Sequence, residues 1–240
     1  MSKRKKKKSS SFIIALIIAI CMFIYKGDIF KNTYSTDKIE TLKVSYQLED
    51  IPEYNGDKYV IINGNKPYFD EKELVTDSFE IYGALDSLGR CTVAYANISK
   101  ELMPTKERES IGSVKPSGWH TIRYDFIDGK YLYNRCHLIG YQLTGENANI
   151  NNLITCTRMM NTGVMLEYEN KVANYIRKTN NHVLYRVTPI FDNDNLLAKG
   201  VLMEGMSVED DGKGIMFNIF IYNVQDGVII DYSNGDSYPE

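Results

Sequence analysis

The stretch from Tyr131 to Lys178, YLYNRCHLIGYQLTGENANINNLITCTRMMNTGVMLEYENKVANYIRK, places the tightest limit on the fold. It holds Asn134, Arg135, His137, Asn152, Arg158, Asn161 and Glu169 between two short apolar strands and an amphipathic helix. Side chains alternate along a strand, so Arg135 and His137, two apart, share one face while Cys136 turns into the core. From Met165 to Lys178, the residues Met165, Leu166, Val172, Ala173 and Ile176 fall near helical spacing, and Asn180-Asn181 ends the helix. Such a density of Asn, Arg and His is unusual for a core, where polar groups are costly unless paired.

Upstream, Tyr59-Val60-Ile61-Ile62 reads as a strand closed by Asn63-Gly64-Asn65. The runs Phe79 to Leu85 and Arg90 to Ile98 flank Asp86-Ser87-Leu88-Gly89 and predict an antiparallel hairpin. Both its faces are largely uncharged, which places it at the centre of a sheet. Pro104 to Gly118 is a loop carrying Lys106, Arg108 and Lys115, for which a solvated surface is a slightly better reading than phosphate contact. Trp119 to Tyr124 supplies a short strand. Three further strands follow the helix, Val183 to Phe191, Leu196 to Met206 and Ile215 to Val224. The expected class is α+β: a central antiparallel β-sheet with helices packed on one side and a strand–strand–helix element set on it.

The N-terminus predicts a separate role. Six basic residues, Lys3, Arg4, Lys5, Lys6, Lys7 and Lys8, and then Ser9-Ser10-Ser11, precede an unbroken apolar run from Phe12 to Tyr25. That order matches the charged and apolar regions of an export signal, and its positive end stays inside. Residues 1–30 are therefore a signal peptide or N-terminal membrane anchor, residues 31–57 a stalk in which Thr41 to Leu48 alternates loosely as a strand, and residues 58–240 the folded domain. No small-x-small site follows Tyr25, which favours the retained anchor, although the run is short for a span of roughly 20 residues. The domain would then lie outside the cell, secreted or held to the outer face of the membrane.

The basic tail hides the charge of the body. Setting those six aside leaves 22 of the 28 Lys+Arg against 31 Asp+Glu, about −9 for residues 9–240. A chain that coats nucleic acid is more often basic, whereas an enzyme that holds a polyanion briefly tolerates this balance. The 4 cysteines, Cys21, Cys91, Cys136 and Cys156, form neither a CxxC pair nor a zinc-finger spacing. They read mostly as small buried hydrophobes, and a Cys136–Cys156 bridge stays open. A cysteine hydrolase pairing Cys136 or Cys156 with His120, His137 or His182 is a rival reading, weakened because no motif flanks either cysteine and Cys136 and His137 face opposite ways.

Asn134-Arg135-Cys136-His137, the asparagine run after it, and Thr157-Arg158-Met159-Met160-Asn161 entering a helix together resemble the DNA/RNA non-specific endonucleases of the ββα-metal type. The similarity is nearest to the secreted or membrane-held nucleases of Gram-positive bacteria, including the DNA-entry type. Those enzymes usually carry Asp-Arg-Gly-His where this chain has Asn134-Arg135-Cys136-His137. The resemblance covers roughly residues 79–223 and implies a ββα-metal element on the sheet. It also implies a metal-dependent, sequence-independent hydrolase of DNA, with RNA a second substrate, acting on the phosphate backbone.

In-line attack of water on a phosphodiester needs a base, a cation for the developing charge, and donors for the non-bridging oxygens. The resemblance assigns the base to His137, whose imidazole titrates near neutrality. It assigns the metal to Asn161, a single amide oxygen suiting Mg²⁺, with Mn²⁺ as the alternative, because Mg²⁺ keeps most of its waters. Asn161 also reads as a helix N-cap. Glu169 would orient metal-bound waters, Glu167 being the competing carboxylate. Arg135 and Arg158 offer forked donors to phosphate, and Asn152 holds the site. Asn134 replaces an aspartate that would orient the histidine, which leaves a weaker orienting hydrogen bond available. A non-catalytic surface receptor that captures DNA for uptake is the alternative reading of the same residues.

Overall fold

The computed structural model describes residues 51–240. The targeting segment, the stalk up to residue 50 and the strand expected over Thr41 to Leu48 lie outside the described residues. Among the described residues no helix is long and apolar enough to cross a membrane. The strands in chain order are β1 (Tyr59–Ile61), β2 (Phe79–Tyr82), β3 (Ala94–Ile98), β4 (Tyr133–His137), β5 (Leu153–Thr157), β6 (Val183–Ile190), β7 (Gly200–Ser207), β8 (Met216–Tyr222), β9 (Val228–Ile230) and β10 (Ser237–Pro239). The helices are α1 (Tyr141–Thr144), α2 (Arg158–Met160) and α3 (Leu166–Thr179).

An antiparallel sheet in the order β1-β8-β7-β6-β3-β2 forms the frame. Alternation gives it two different faces. One presents Ala94, Ala96, Val183, Tyr185, Val187, Val201, Met203 and Ile219 to a core shared with Val172, Ala173 and Ile176 of α3. The other carries Arg186 opposite Glu204, joined by a fork at 2.6 and 3.0 Å. The chain before β2 covers that second face: Phe69 stacks on Tyr95, and Val75 O accepts from Asn97 Nδ2 at 2.6 Å.

That cover corrects one expectation. The β2–β3 hairpin pairs as predicted, but β2 is the sheet's edge and β6 and β7 are nearer the centre. β3 reads as uncharged on both faces because both are buried, one by the helix-side core and the other by the preceding segment. The strand expected over Trp119 to Tyr124 contracts to one bridge, Arg123 with Tyr131. Backbone bonds from Leu132 N to Ile122 O at 3.1 Å and from Tyr124 N to Lys130 O at 2.9 Å flank that bridge.

The two strands of the polar stretch stand apart as their own antiparallel pair, with Arg135 opposite Thr155 and His137 opposite Leu153. Cys136 and Cys156 are fully buried and joined in a disulfide, with Cα atoms 5.9 Å apart. Buried Asn223, beyond β8, docks this pair to the sheet, accepting from Thr157 N at 2.8 Å and donating to Thr155 O at 3.3 Å. β5 runs directly into α2, where Thr157 Oγ1 caps the Met160 N–H at 3.1 Å, the usual work of a threonine N-cap. Asn161–Met165 then forms a wider π-type turn before α3, broken from helical geometry at Gly163. Such turns are frequent where a side chain serves a function. α3 ends as expected at Asn180, which adopts the left-handed conformation at φ 59°.

Candidate active site

Two adjoining cavities open on the β4–α3 face. The first, about 380 Å³, is walled by His137, Arg135, Gly140, Asn161, Glu169 and Arg108. The second, about 430 Å³, shares Arg108, Arg135 and Asn161 with it and adds Trp119, Tyr131 and Arg158. Sequence-distant His137, Asn161 and Glu169 are thus brought together, and the face shared by Arg135 and His137 is the one that lines the cavity.

His137 is nearly buried, at 6% exposure. Its Nε2 lies 2.7 Å from Asn147 O. A carbonyl can only accept, so Nε2 carries the proton and Nδ1 holds the lone pair. Arg108 Nη2 stands 3.4 Å from Nδ1. Burial first, and the Arg108 charge after it, push the imidazole down to about 4 against the lifting effect of the Asn147 carbonyl. The ring is therefore neutral near pH 7, as a base must be. The orienting partner is this carbonyl rather than Asn134, whose buried Nδ2 has no hydrogen-bond partner among the described residues.

Glu169 lies on the buried face of α3. Burial raises its carboxyl to about 7, opposed by the Gln142 side chain, the Arg108 charge and the Gly140 backbone. Gly140 leaves room for it: a Cβ there would sit 2.6 Å from Glu169 Cδ, so the carboxylate would have to move. Glu167, the competing carboxylate, is exposed and paired with Lys171 Nζ at 2.7 Å. The cavity therefore receives Glu169.

Asn161 forms part of the wall common to both cavities. It does not cap a helix start, because Thr157 does. Its amide makes no side-chain hydrogen bond with a described residue, so its oxygen is available to a cation. Among the described residues no three His, Cys, Asp or Glu side chains gather to enclose a metal ion. The donors at hand are one neutral amide and one nearby carboxylate, a set that fits a hard, heavily hydrated ion such as Mg²⁺ better than a protein-caged one.

The remaining residues divide. Arg158 lines the second cavity and pairs with exposed Asp128 at 3.0 Å, leaving a cation at the rim. Arg135 is more committed: it donates to Val114 O and, at 2.8 Å, to Gly112 O, with its guanidinium 3.9 Å from the Trp119 ring centre. Asn152 does not reach either cavity. It is fully buried, accepting from Ile139 N at 2.9 Å and donating to Ile139 O at 3.0 Å. It is a positioning residue that fixes the backbone just after His137.

Arg108 carries no local signal that marks it as part of the site. It lies 29 residues ahead of His137 in the loop read as solvated surface, and only the fold brings it to the site. The cysteine-hydrolase reading loses its nucleophile: Cys136 and Cys156 are bonded to each other, and burial pushes the Cys91 thiol up to about 12.

A histidine on the first strand of a hairpin, lining one cavity with an asparagine from the turn before the following helix and a glutamate from that helix, defines the ββα-metal arrangement. The chain belongs to the DNA/RNA non-specific endonuclease family, whose model matches residues 71–209. It is 28% identical over 203 residues to a deoxyribonuclease of Streptococcus dysgalactiae subsp. equisimilis, a match spanning 67% of this chain and 61% of that relative's length. Its fold is similar to that of NucA from Streptococcus agalactiae with magnesium ion bound, at TM-score 0.66 and 23% identity over 75% of this chain and 86% of that one. It is also similar to Sda1 nuclease with bound zinc ion, at TM-score 0.62 and 24% identity over 77% and 97%.

Proposed function

We propose that this protein is a metal-dependent, sequence-non-specific endonuclease that hydrolyses phosphodiester bonds of DNA, and of RNA as a second substrate, outside the cell. The observation that carries this reading is the neutral, carbonyl-oriented His137 in one cavity with Asn161, Glu169 and Arg108. His137 Nδ1 takes the proton of the attacking water while the Asn147 carbonyl steadies the opposite N–H. A guanidinium keeps its charge throughout, so Arg108 and Arg158 are the donors for the non-bridging oxygens. Arg135 acts mainly by holding the 112–114 loop and Trp119 at the cavity wall.

Asn161 would hold Mg²⁺, or Mn²⁺, with Glu169 ordering its waters; when bound, the ion supplies Lewis acidity for charge developing on the phosphate. Because the groups assembled address phosphate, water and metal, no base-edge reading is expected. Residues 1–30 would deliver the domain across the membrane and keep it there or release it. Incubating the purified protein with supercoiled plasmid, with Mg²⁺ and then with excess EDTA, tests the activity. Nicking that stops with EDTA supports it. An intact plasmid under every divalent ion tried would overturn it in favour of a surface DNA receptor.

A further inference from the structure

The second cavity holds more than hydrolysis uses: Arg108, Arg158 and Asn161 serve the phosphate and the metal, whereas Trp119 and Tyr131 have no part in that chemistry. At about 430 Å³ it falls in the range of small-molecule sites, and its walls combine aromatic rings with guanidinium groups. Tyr131 is 45% exposed, with the Arg123 guanidinium 5.1 Å from its ring centre. Trp119 is half-buried and held in place by Arg135. Neither ring is explained by the reaction at His137. Arg123 and Arg135 each lie over one of these rings, and a phosphate, taken by guanidinium groups, would leave the remaining aromatic surface unused.

We infer that this cavity receives one nucleobase of the DNA strand being cut, unstacked from its neighbours and laid against Tyr131, next to the phosphate held between Arg108 and Asn161. The inference rests on the endonuclease reading and adds the form of substrate. Continuity supports it: Arg108, Arg135 and Asn161 belong to both cavities, so a strand with its phosphate in the first has its adjoining nucleoside at the mouth of the second. Stacking on an aromatic face accepts any base, because every base offers a π-surface. Sequence tolerance is thereby preserved. A base inside a duplex must first break its pair and its stack, a cost absent from single strands and reduced at mismatches. The protein therefore prefers single-stranded or unpaired DNA to intact duplex.

The test uses the full-length protein carrying His137→Ala, so that the probe is not cut, and a single-stranded oligonucleotide containing 2-aminopurine, whose fluorescence falls when it stacks. Binding with Mg²⁺ should quench the probe. Adding Tyr131→Ala should abolish the quenching and weaken binding by between about 5- and 150-fold, while Tyr131→Phe, which keeps the ring, retains it. Phe126→Ala, an exposed aromatic on the neighbouring turn and outside the cavity wall, serves as the control and should change nothing. In parallel, the otherwise unmodified protein should cut single strands faster than the matched duplex. Quenching that persists in Tyr131→Ala, or equal cutting of both forms with quenching absent, overturns the subsite while leaving the nuclease reading intact. Loss of all cutting with quenching still dependent on Tyr131 has the reverse meaning.

Discussion

Arg108 places its guanidinium 3.4 Å from His137 Nδ1, the ring nitrogen that carries the lone pair. This is a long contact made by an exposed side chain from a loop, so an arriving phosphate competes for it readily. On the proposed mechanism, substrate would draw Arg108 away from the imidazole and expose its lone pair. Arg108→Ala is expected to lower kcat/KM by about 10²- to 10³-fold, the scale for removing one preorganised donor, with little change in thermal stability. It also removes a charge that depresses the imidazole, so the acid limb of the pH–rate profile should move to higher pH. Steady-state nicking assays across pH check both.

The two buried titratable groups pull stability in opposite directions. Glu169, raised from 4.5 to about 7, is favoured neutral: its contribution is full below pH 4.5 and is lost as pH rises through about 7. His137, lowered from 6.5 to about 4, contributes fully above pH 6.5 and loses that contribution as pH falls through about 4. Glu169→Gln should therefore stabilise the metal-free protein at pH 8 by about 2–3 kcal/mol and hardly at pH 4.5, while reducing activity. Urea denaturation at the two pH values measures the difference.

Asn152 satisfies both backbone groups of Ile139 from a fully buried position. Asn152→Ala leaves them unpaired, at about 1–3 kcal/mol for each group. The denaturation midpoint should fall with an unchanged slope, and activity should fall with it as the backbone beside His137 loosens.

The Cys136–Cys156 bond closes a sequence separation of 20 between the strands that carry Arg135 and His137 on one side and lead into Arg158 on the other. Replacing both cysteines by alanine should cost about 3 kcal/mol of stability through the unfolded state. Reductant should lower the melting temperature of the natural protein towards that of the double variant and leave the variant unaffected.

Much of this was legible in the sequence where spacing alone decides geometry. The two-residue step from Arg135 to His137, the helix ending at Asn180 and the long strands β6 to β8 depend on local periodicity. The resemblance supplied the grouping of His137, Asn161 and Glu169. What escaped depends on tertiary contact. Nothing local distinguishes Arg108 from a solvated loop arginine, or reveals that Arg135 spends its donors on Val114 and Gly112. Nor does local sequence say that His137 is oriented by the carbonyl of Asn147, because any residue offers that oxygen. The edge position of β2 was hidden because the segment that covers its sheet, around Phe69 and Val75, has no regular pattern to read.

His137 as the base is open to a direct test by substitution. His137→Ala should cut plasmid about 10²- to 10⁴-fold more slowly than the natural protein, with metal present and the fold intact by circular dichroism. Added imidazole should restore part of the rate. Undiminished cleavage by His137→Ala would contradict the account.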